Sequence, residues 1–473
     1  MSDMLKLSAS ERIATLLDDS SFVEIGSEVT ARTTDFNESP QDTPKDGVVT
    51  GYGVIGGKLV YVYSQDASVL GGSIGEMHAK KISAVYNLAM KVGAPVVGLI
   101  DCAGLRVQEA TDALHSFGAL FKKSAMASGV IPQITAVFGT CGGGAGILAS
   151  LSDFTYMSEG AKLFVNSPNA IKSNYEEKLD TSSASYLSSN TSFVDGVYAS
   201  DNEVLSEIRN LISILPSNNE DEAISMCEDD LNRTIPGIDA LKDDSKSVIT
   251  SIADDNLFSE TKPEYAPELV TGFIKMNGAT VGVVANNPSA GGDKITSNGL
   301  AKASGFVNFC DCFNIPVLTI TNVKGFDADM DSEKVLAREA ARLTAAFVEA
   351  SVPKVNVIVG DAYGSAYILM NSKSLGADIV YAWPTAKIAL MDPEYAAQII
   401  YNDDIDGASN KVDAIKEAKN KITEAQGSAM AAARRGYVDD IIEPDATRKR
   451  VIAAFEMLAT KREDRPAKKH MAY

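Results

Sequence analysis

Ile134-Thr135-Ala136-Val137-Phe138-Gly139-Thr140-Cys141-Gly142-Gly143-Gly144-Ala145-Gly146 is a β-branched strand that runs into a glycine-rich crest and then an apolar helix. A second crest, Gly360-Asp361-Ala362-Tyr363-Gly364-Ser365-Ala366-Tyr367, follows 221 positions later. The register extends outward from both. Thr50-Gly51 answers to Thr271-Gly272, Pro95 to Pro316, Pro132 to Pro353 and Gly139 to Gly360, each pair 221 apart. After a four-residue insertion the offset becomes 225, which pairs Asp153 with Asp378 and Pro168 with Pro393. Unrelated α/β segments do not keep one offset across so many landmarks, so residues 48–168 and 269–393 are read as an internal duplication.

The sequence implies an α/β fold with two tandem domains. At 473 residues the chain exceeds one core. Residues 1–46 read as an N-terminal helical appendage, with an amphipathic helix from Ser10 to Leu17. Residues 47–215 form the first domain and residues 216–265 an acidic linker carrying Glu228-Asp229-Asp230 and Asp254-Asp255. Residues 266–473 form the second domain with a helical tail. Within the first repeat, strand-like runs at 47–52 and 59–63 are joined by a Gly56-Gly57 hairpin turn. A helix at about 75–92 places Met77, Ile82, Val85, Leu88 and Ala89 on one face, and a second helix is expected at about 107–128.

Composition excludes several function classes. Forty-three Lys+Arg against 63 Asp+Glu give a net charge of −20, which repels nucleic acid and anionic lipid. No run approaches the ~18–20 apolar residues of a membrane span, and the first residues, MSDMLKLSASER, lack the apolar core of a signal peptide. A cytoplasmic location is therefore expected. Cys102, Cys141, Cys227, Cys310 and Cys312 show no C-x-x-C spacing and read as buried thiols.

Side-chain catalysts are scarce. The chain has three histidines, with His470 in the tail and His78 and His115 in helical segments, where packing or surface roles are expected. This is too few for a multi-His metal site. The crests offer other chemistry, because main-chain N–H groups at a helix start can hold a phosphate or an enolate oxyanion. Neither crest has the Lys-Ser/Thr of a Walker loop, and the G-x-G-x-x-A fit at Gly144, Gly146 and Ala149 lacks its downstream acid. Close helix-to-sheet packing alone would also use these glycines, but recurrence at one position in both copies favours a shared chemical role.

Several motifs then converge. The crests, the run Val130-Ile131-Pro132-Gln133-Ile134 and the stretches Asp46 to Gly51, Ser64-Gln65-Asp66, Gly71 to Glu76, Arg106-Val107-Gln108-Glu109, Ala382 to Ala386, Gly436 to Asp439 and Pro466 to His470 occur in order. The chain resembles the crotonase superfamily and, within it, the biotin-dependent acyl-CoA carboxyltransferases. The resemblance is to β subunits of propionyl-CoA and acetyl-CoA carboxylases and to α subunits of sodium-pumping methylmalonyl-CoA decarboxylases. It implies two tandem crotonase-like domains of spiral ββα repeats, the first for acyl-CoA and the second for biotin on a carrier protein.

The implied mechanism needs no side-chain base. Carboxybiotin releases CO2, the biotin enolate takes the acyl-CoA α-proton, and the thioester enolate captures the CO2. Each enolate needs an oxyanion hole. Carried over by position, Gly143 and Gly144 donate to the thioester oxygen and Ser365 and Ala366 to the biotin ureido oxygen. Gly71, Gly72, Gly104, Arg106, Gly142, Ala145, Gly364 and Ile368 line the acyl-CoA site, and Gly325, Phe326 and Tyr367 the biotin site. An apolar Ile368 leans toward a short acyl chain such as acetyl-CoA. The family further implies a homo-hexamer, a trimer of dimers, working with a biotin carboxyl carrier protein and with a biotin carboxylase or membrane decarboxylase subunits.

The chain departs from the family pattern at Ser365, at Lys324 to Asp329, at Val335 to Ala340 and at Lys178 to Ser183. Two other readings exist. An enoyl-CoA hydratase or isomerase would need a carboxylate at the first crest, from Glu76 or Glu109. A non-catalytic scaffold subunit would keep the assembly with altered pockets.

Overall fold

The hairpins that open each repeat explain why the sheets start as they do. In the first, Gly56 and Gly57 adopt φ of 55° and 82°; in the second, Asn277 and Gly278 adopt 52° and 81°. Two consecutive left-handed residues make the turn whose twist matches the flanking strands. The computed structural model describes residues 6–36, 42–172 and 178–463. Residues 37–41 of the appendage and the Pro466 to His470 motif lie outside the described residues.

The chain divides into units Met1–Ala223 and Ile224–Tyr473. The first contains an eight-stranded sheet in the order β1 (Val23–Glu24), β2 (Val48–Ile55), β3 (Lys58–Gln65), β4 (Val96–Cys102), β5 (Gln133–Gly142), β6 (Phe154–Ser158) and β8 (Gly196–Tyr198), with β7 (Lys162–Phe164) also on β5. The pairs β1–β2 and β2–β3 are antiparallel and the rest parallel. The helices are α1 (Ala9–Leu16), α2 (Glu76–Val92), α3 (Ala110–Ala127), α4 (Gly144–Ser150), α5 (Ala184–Asn190) and α6 (Asp201–Ile214).

The second unit repeats the plan with β9 (Phe258–Thr261), β10 (Leu269–Met276), β11 (Ala279–Asn286), β13 (Val317–Val323), β15 (Lys354–Tyr363), β16 (Ile379–Ala382) and β18 (Asp440–Ile441) in that order, and β17 (Lys387–Ala389) on β15. A separate two-stranded ladder joins β12 (Lys294–Ile295) to β14 (Gly325–Phe326). Its helices include α7 (Ser245–Ile252), α8 (Ser297–Cys312), α9 (Met330–Glu349) and α10 (Gly364–Leu369).

The duplication begins earlier than the 221 register shows. Helices α1 and α7 stand 236 positions apart, as do strand residues Glu24 and Glu260, which pair with Gly51 and Gly272. At both glycines a Cβ would lie 2.6 Å from a ring carbon, of Phe22 in the first unit and Phe258 in the second. Residues 1–46 and 216–265, read from sequence as appendage and linker, thus each supply the first helix and an edge strand of their own unit.

Of the helix face expected on α2, Ile82, Val85 and Ala89 are buried, whereas Leu88 is exposed and Met77 half-buried. Cys102, Cys141 and Cys310 are buried as expected; Cys227 is half-buried and Cys312 exposed, so burial of all five thiols does not hold. His115 is exposed and His78 fully buried.

Candidate active site

Each crest is built by the same sequence of events. A parallel strand ends, one residue turns through a positive φ, and a short helix starts. That residue is Gly143 at φ 58° in the first unit and Gly364 at φ 61° in the second, positions 221 apart. A side chain there would be strained, so glycine is required. The first-turn amides of α4 and α10 have no acceptor four residues back. Gly144 and Ala145 therefore offer N–H groups at the first crest, and Ser365 and Ala366 at the second.

One donor predicted from sequence is corrected. The Gly143 N–H is spent on the Phe164 carbonyl of β7, 2.8 Å away. The usable pair at the first crest is Gly144 and Ala145.

The glycine-to-serine departure at the second crest also has a physical cause. A Cβ on Gly144 would lie 2.8 Å from the Phe117 ring on α3. In the second unit the residue 221 positions after Phe117 is the exposed Arg338, and Ser365 is exposed as well. The packing that forbids a side chain at position 144 does not recur at 365.

A second segment braces each crest. In the first unit Ile74 bridges Leu105, and Gly104, at φ 113°, comes so close to the crest that its Cβ would lie 3.0 Å from the Gly142 carbonyl. Gly72 has φ 63° and leaves no room for a Cβ beside the Asp101 carbonyl, while the Gly71 carbonyl accepts the Ala103 N–H at 2.9 Å. In the second unit the equivalent bridge is Ile295 to Phe326. Gly325 thus repeats Gly104, and β14 packs against α10, which brings the predicted Gly325 and Phe326 to the second crest. Behind the crests, Asp101 Oδ1 accepts the Thr140 N–H at 3.2 Å and Asn322 Oδ1 accepts the Asp361 N–H at 3.0 Å. The preceding glycines, Gly139 and Gly360, leave room for those side chains.

Arg106, expected to line the acyl-CoA site, does not. It is 3% exposed, and its Nη1 reaches Asp46 at 2.5 Å and Glu109 at 2.8 Å while Nη2 donates to the Ser73 carbonyl at 2.7 Å. Its Nε donates to Ser73 Oγ at 3.4 Å. Burial pushes the Asp46 carboxyl up against the pull of Arg106. Next to it, His78 is held neutral: its Nδ1 donates to the Asp46 carbonyl at 2.8 Å, Nε2 accepts from Gln65 at 3.1 Å, and burial lowers its pKa to about 3.

The carboxylates that a hydratase would need are engaged as well. Glu109 also accepts the Glu76 N–H at 2.5 Å, and Glu76 pairs with Arg32 at 2.6 Å and Lys80 at 2.7 Å. Hydrogen bonding by Lys80 leads the forces that hold Glu76 below its ordinary value. Among the described residues no cluster of metal-ligating side chains occurs.

Exposed apolar residues repeat at matching positions of the two units, and of these the sequence pointed only to Ile368. Ile147 and Ile368, 221 apart, are 42% and 41% exposed. Leu114 and Val335 repeat at the same offset and Val165 and Leu390 at 225, all exposed. The offsets were visible in the sequence; that these positions all stay uncovered was not. Tyr367 is partly buried, which raises its pKa to about 12. Beside β7 a cavity of about 410 Å³ is lined by Phe164, Pro168, Lys178 and Leu179.

This geometry can be compared with known proteins. Residues 3–473 match the carboxyl transferase domain. The chain belongs to the carboxyl transferase family. It is 43% identical to the methylmalonyl-CoA decarboxylase subunit alpha of Propionigenium modestum, over 98% of this chain and 92% of that protein. It is 41% identical to the propionyl-CoA carboxylase beta chain of Roseobacter denitrificans, over 98% and 93%. The crystal structure of transcarboxylase 12S, described as a hexamer assembly with hydrolysed methylmalonyl-coenzyme A bound, superimposes with a TM-score of 0.93 at 38% identity, over 98% of this chain and 92% of that one. The carboxyltransferase is therefore an enzyme of propionyl-CoA carboxylase or methylmalonyl-CoA decarboxylase type, with the tandem crotonase-like fold expected from its sequence.

Proposed function

We propose that this carboxyltransferase moves a carboxyl group between biotin on a carrier protein and a short-chain acyl-CoA, with acyl-CoA at the first crest and biotin at the second. The observation that carries the reading is the pair of equivalent crests, each starting a short helix whose first-turn amides have no intrahelical acceptor. Gly144 and Ala145 hold the thioester oxygen, and their N–H groups stabilise the charge that builds there as the α-proton leaves. Each such donor contributes about 3 kcal/mol to the transition state. Ser365 and Ala366 play the same part for the ureido oxygen.

The second crest suits biotin, since no atom lies within 4 Å of a Cβ built at Gly325 and Ser365 is exposed. When bound, biotin supplies the carboxyl group or receives it. The exposed Ile147 and Ile368, each on the short helix that starts at a crest, offer apolar surface beside each crest. The relatives at 43% and 41% identity carry the names of a decarboxylase and a carboxylase subunit, so partner proteins set the direction. A biotin carboxylase makes the chain a carboxylase component; membrane subunits make it the α subunit of a sodium-pumping decarboxylase. We further propose a cytoplasmic homo-hexamer. No helix among the described residues is long and apolar enough to cross a membrane.

The test is mass spectrometry of purified protein with biocytin and either malonyl-CoA or methylmalonyl-CoA. Biotin-dependent loss of the carboxyl group, abolished by Gly144→Pro, is expected. A folded hexamer that acts on neither thioester would instead favour a scaffold role.

A further inference from the structure

The first crest has a polar cluster that the second lacks. Arg106, Asp46 and Glu109 are all buried in one ion network. The positions 221 residues on hold Asp327, Pro267 and Met330, which cannot form it. The backbone around them is nevertheless repeated: Arg106 N–H donates to the Ile74 carbonyl at 3.0 Å, and Asp327 N–H to the Ile295 carbonyl at 2.9 Å. The bracing segment is therefore held by main-chain bonds in both units and by a buried charge cluster in one.

Such a cluster is a poor stability device, because the cost of removing three charges from water offsets most of their attraction. What it does provide is a fixed arrangement of the loops it joins. It ties residue 46 at the entry to β2, residues 73–76 at the start of α2 and residues 106–109 before α3. Between these, Gly104 lies against the Gly142 carbonyl of the crest.

Building on the reading of the first crest as the acyl-CoA site, we propose that Arg106 is the positioning residue of that site. By holding Asp46, Ser73 and Glu109 together it fixes residues 103–106 against Gly142, and so sets where the Gly144 and Ala145 N–H groups point. It touches no substrate itself, and the second crest works without such a brace.

The experiment compares the wild-type hexamer with Arg106→Lys and with a neutralised, folded variant carrying Arg106→Met, Asp46→Asn and Glu109→Gln, which removes all three charges of the cluster together. Amide hydrogen exchange and transfer kinetics with malonyl-CoA and biocytin are the readouts. In the neutralised variant, residues 103–109 and 142–146 should exchange about tenfold faster, with 324–330 unchanged. The kcat/KM for the acyl-CoA should fall about 10- to 100-fold, as expected for a small misplacement of donors. The KM for biocytin should stay put, and Arg106→Lys should recover part of the loss. An unchanged crest in the exchange experiment overturns the proposal, as does an equal loss toward both substrates, which would mark mere structural support. Absence of transfer in the wild-type protein would count against the carboxyltransferase reading alone, since the exchange comparison still decides the brace.

Discussion

Replacing Gly144 with alanine keeps the crest N–H and adds only one methyl group, so it isolates the role of close packing. The new Cβ would sit 2.8 Å from Cε1 and 2.9 Å from Cδ1 of Phe117. That ring is buried on α3 and packs against Phe121 with centroids 5.8 Å apart, so it cannot swing away freely. Either the ring leaves its packing or the start of α4 moves outward. Overpacking of this kind costs about 1–3 kcal/mol of stability. If α4 moves, the Gly144 and Ala145 donors move with it, and the loss in kcat approaches the ~10²- to 10³-fold of a removed oxyanion donor. The equivalent change at the second crest, Ser365→Ala, meets no ring and should leave kcat within about twofold, since only an interaction made in the transition state lowers it.

The assay is a double-mutant cycle of Gly144→Ala with Phe117→Leu, read by biotin-dependent decarboxylation of malonyl-CoA and by thermal unfolding. Trimming the ring should restore much of the activity, with a coupling of about 1 kcal/mol or more. Full activity of Gly144→Ala, or strict additivity with Phe117→Leu, would refute the reasoning.

Three further outcomes are expected. Gly51→Ala and Gly272→Ala should each cost at least about 1–3 kcal/mol in urea unfolding, because at both a Cβ runs into the edge strand's backbone carbonyl, of Val23 or Ser259, and into the Phe22 or Phe258 ring. Gly325→Val, where no atom lies within 4 Å of the Cβ, should leave the melting temperature unchanged and raise the KM for biocytin but not for acyl-CoA. His78 is depressed to about 3 in the fold, so between the unfolded pKa of about 6.5 and that value the unfolded state binds the extra proton; stability therefore falls as pH drops through this window, by about 1.4 kcal/mol per pH unit. Urea midpoints of wild type and His78→Gln between pH 7 and pH 5 check this, and the variant should lose that part of the slope.

Much of the site was legible before the fold was known. A glycine at a strand-to-helix turn announces a positive φ, and its recurrence 221 positions later announces a second turn of the same kind; both Gly143 and Gly364 have it. What the sequence hid depends on distant contacts. The extra helix and edge strand of each unit stand at an offset of 236, not 221, and the strand's close approach to Gly51 or Gly272 is a contact made far along the chain. Arg106 is a ligand residue only by position in the family, and its buried carboxylate partners, 60 positions upstream and three downstream, are not legible in the sequence. Gly143, a donor by position in the family, has its amide consumed by β7, a strand of only three residues that comes after the crest.

The two crests differ in a way that fits catalysis by the main chain. Positions that shape the crest are kept: Gly139 and Gly360, Gly143 and Gly364. Positions that face outward or pack around them have changed: Gly142 to Tyr363, Gly144 to Ser365, Leu105 to Phe326, Phe117 to Arg338. A main-chain donor survives every substitution except proline, provided the turn is preserved. After duplication each crest could therefore exchange its side chains for those of a new ligand without losing its amides. An enzyme that relied on a histidine or a carboxylate could not have done so, because its catalyst and its specificity would have shared the same side chains. The engaged state of Glu76, Glu109 and Asp101, and the buried neutral His78, fit that account: these ionisable groups of the first unit hold the scaffold, and the scaffold holds the amides.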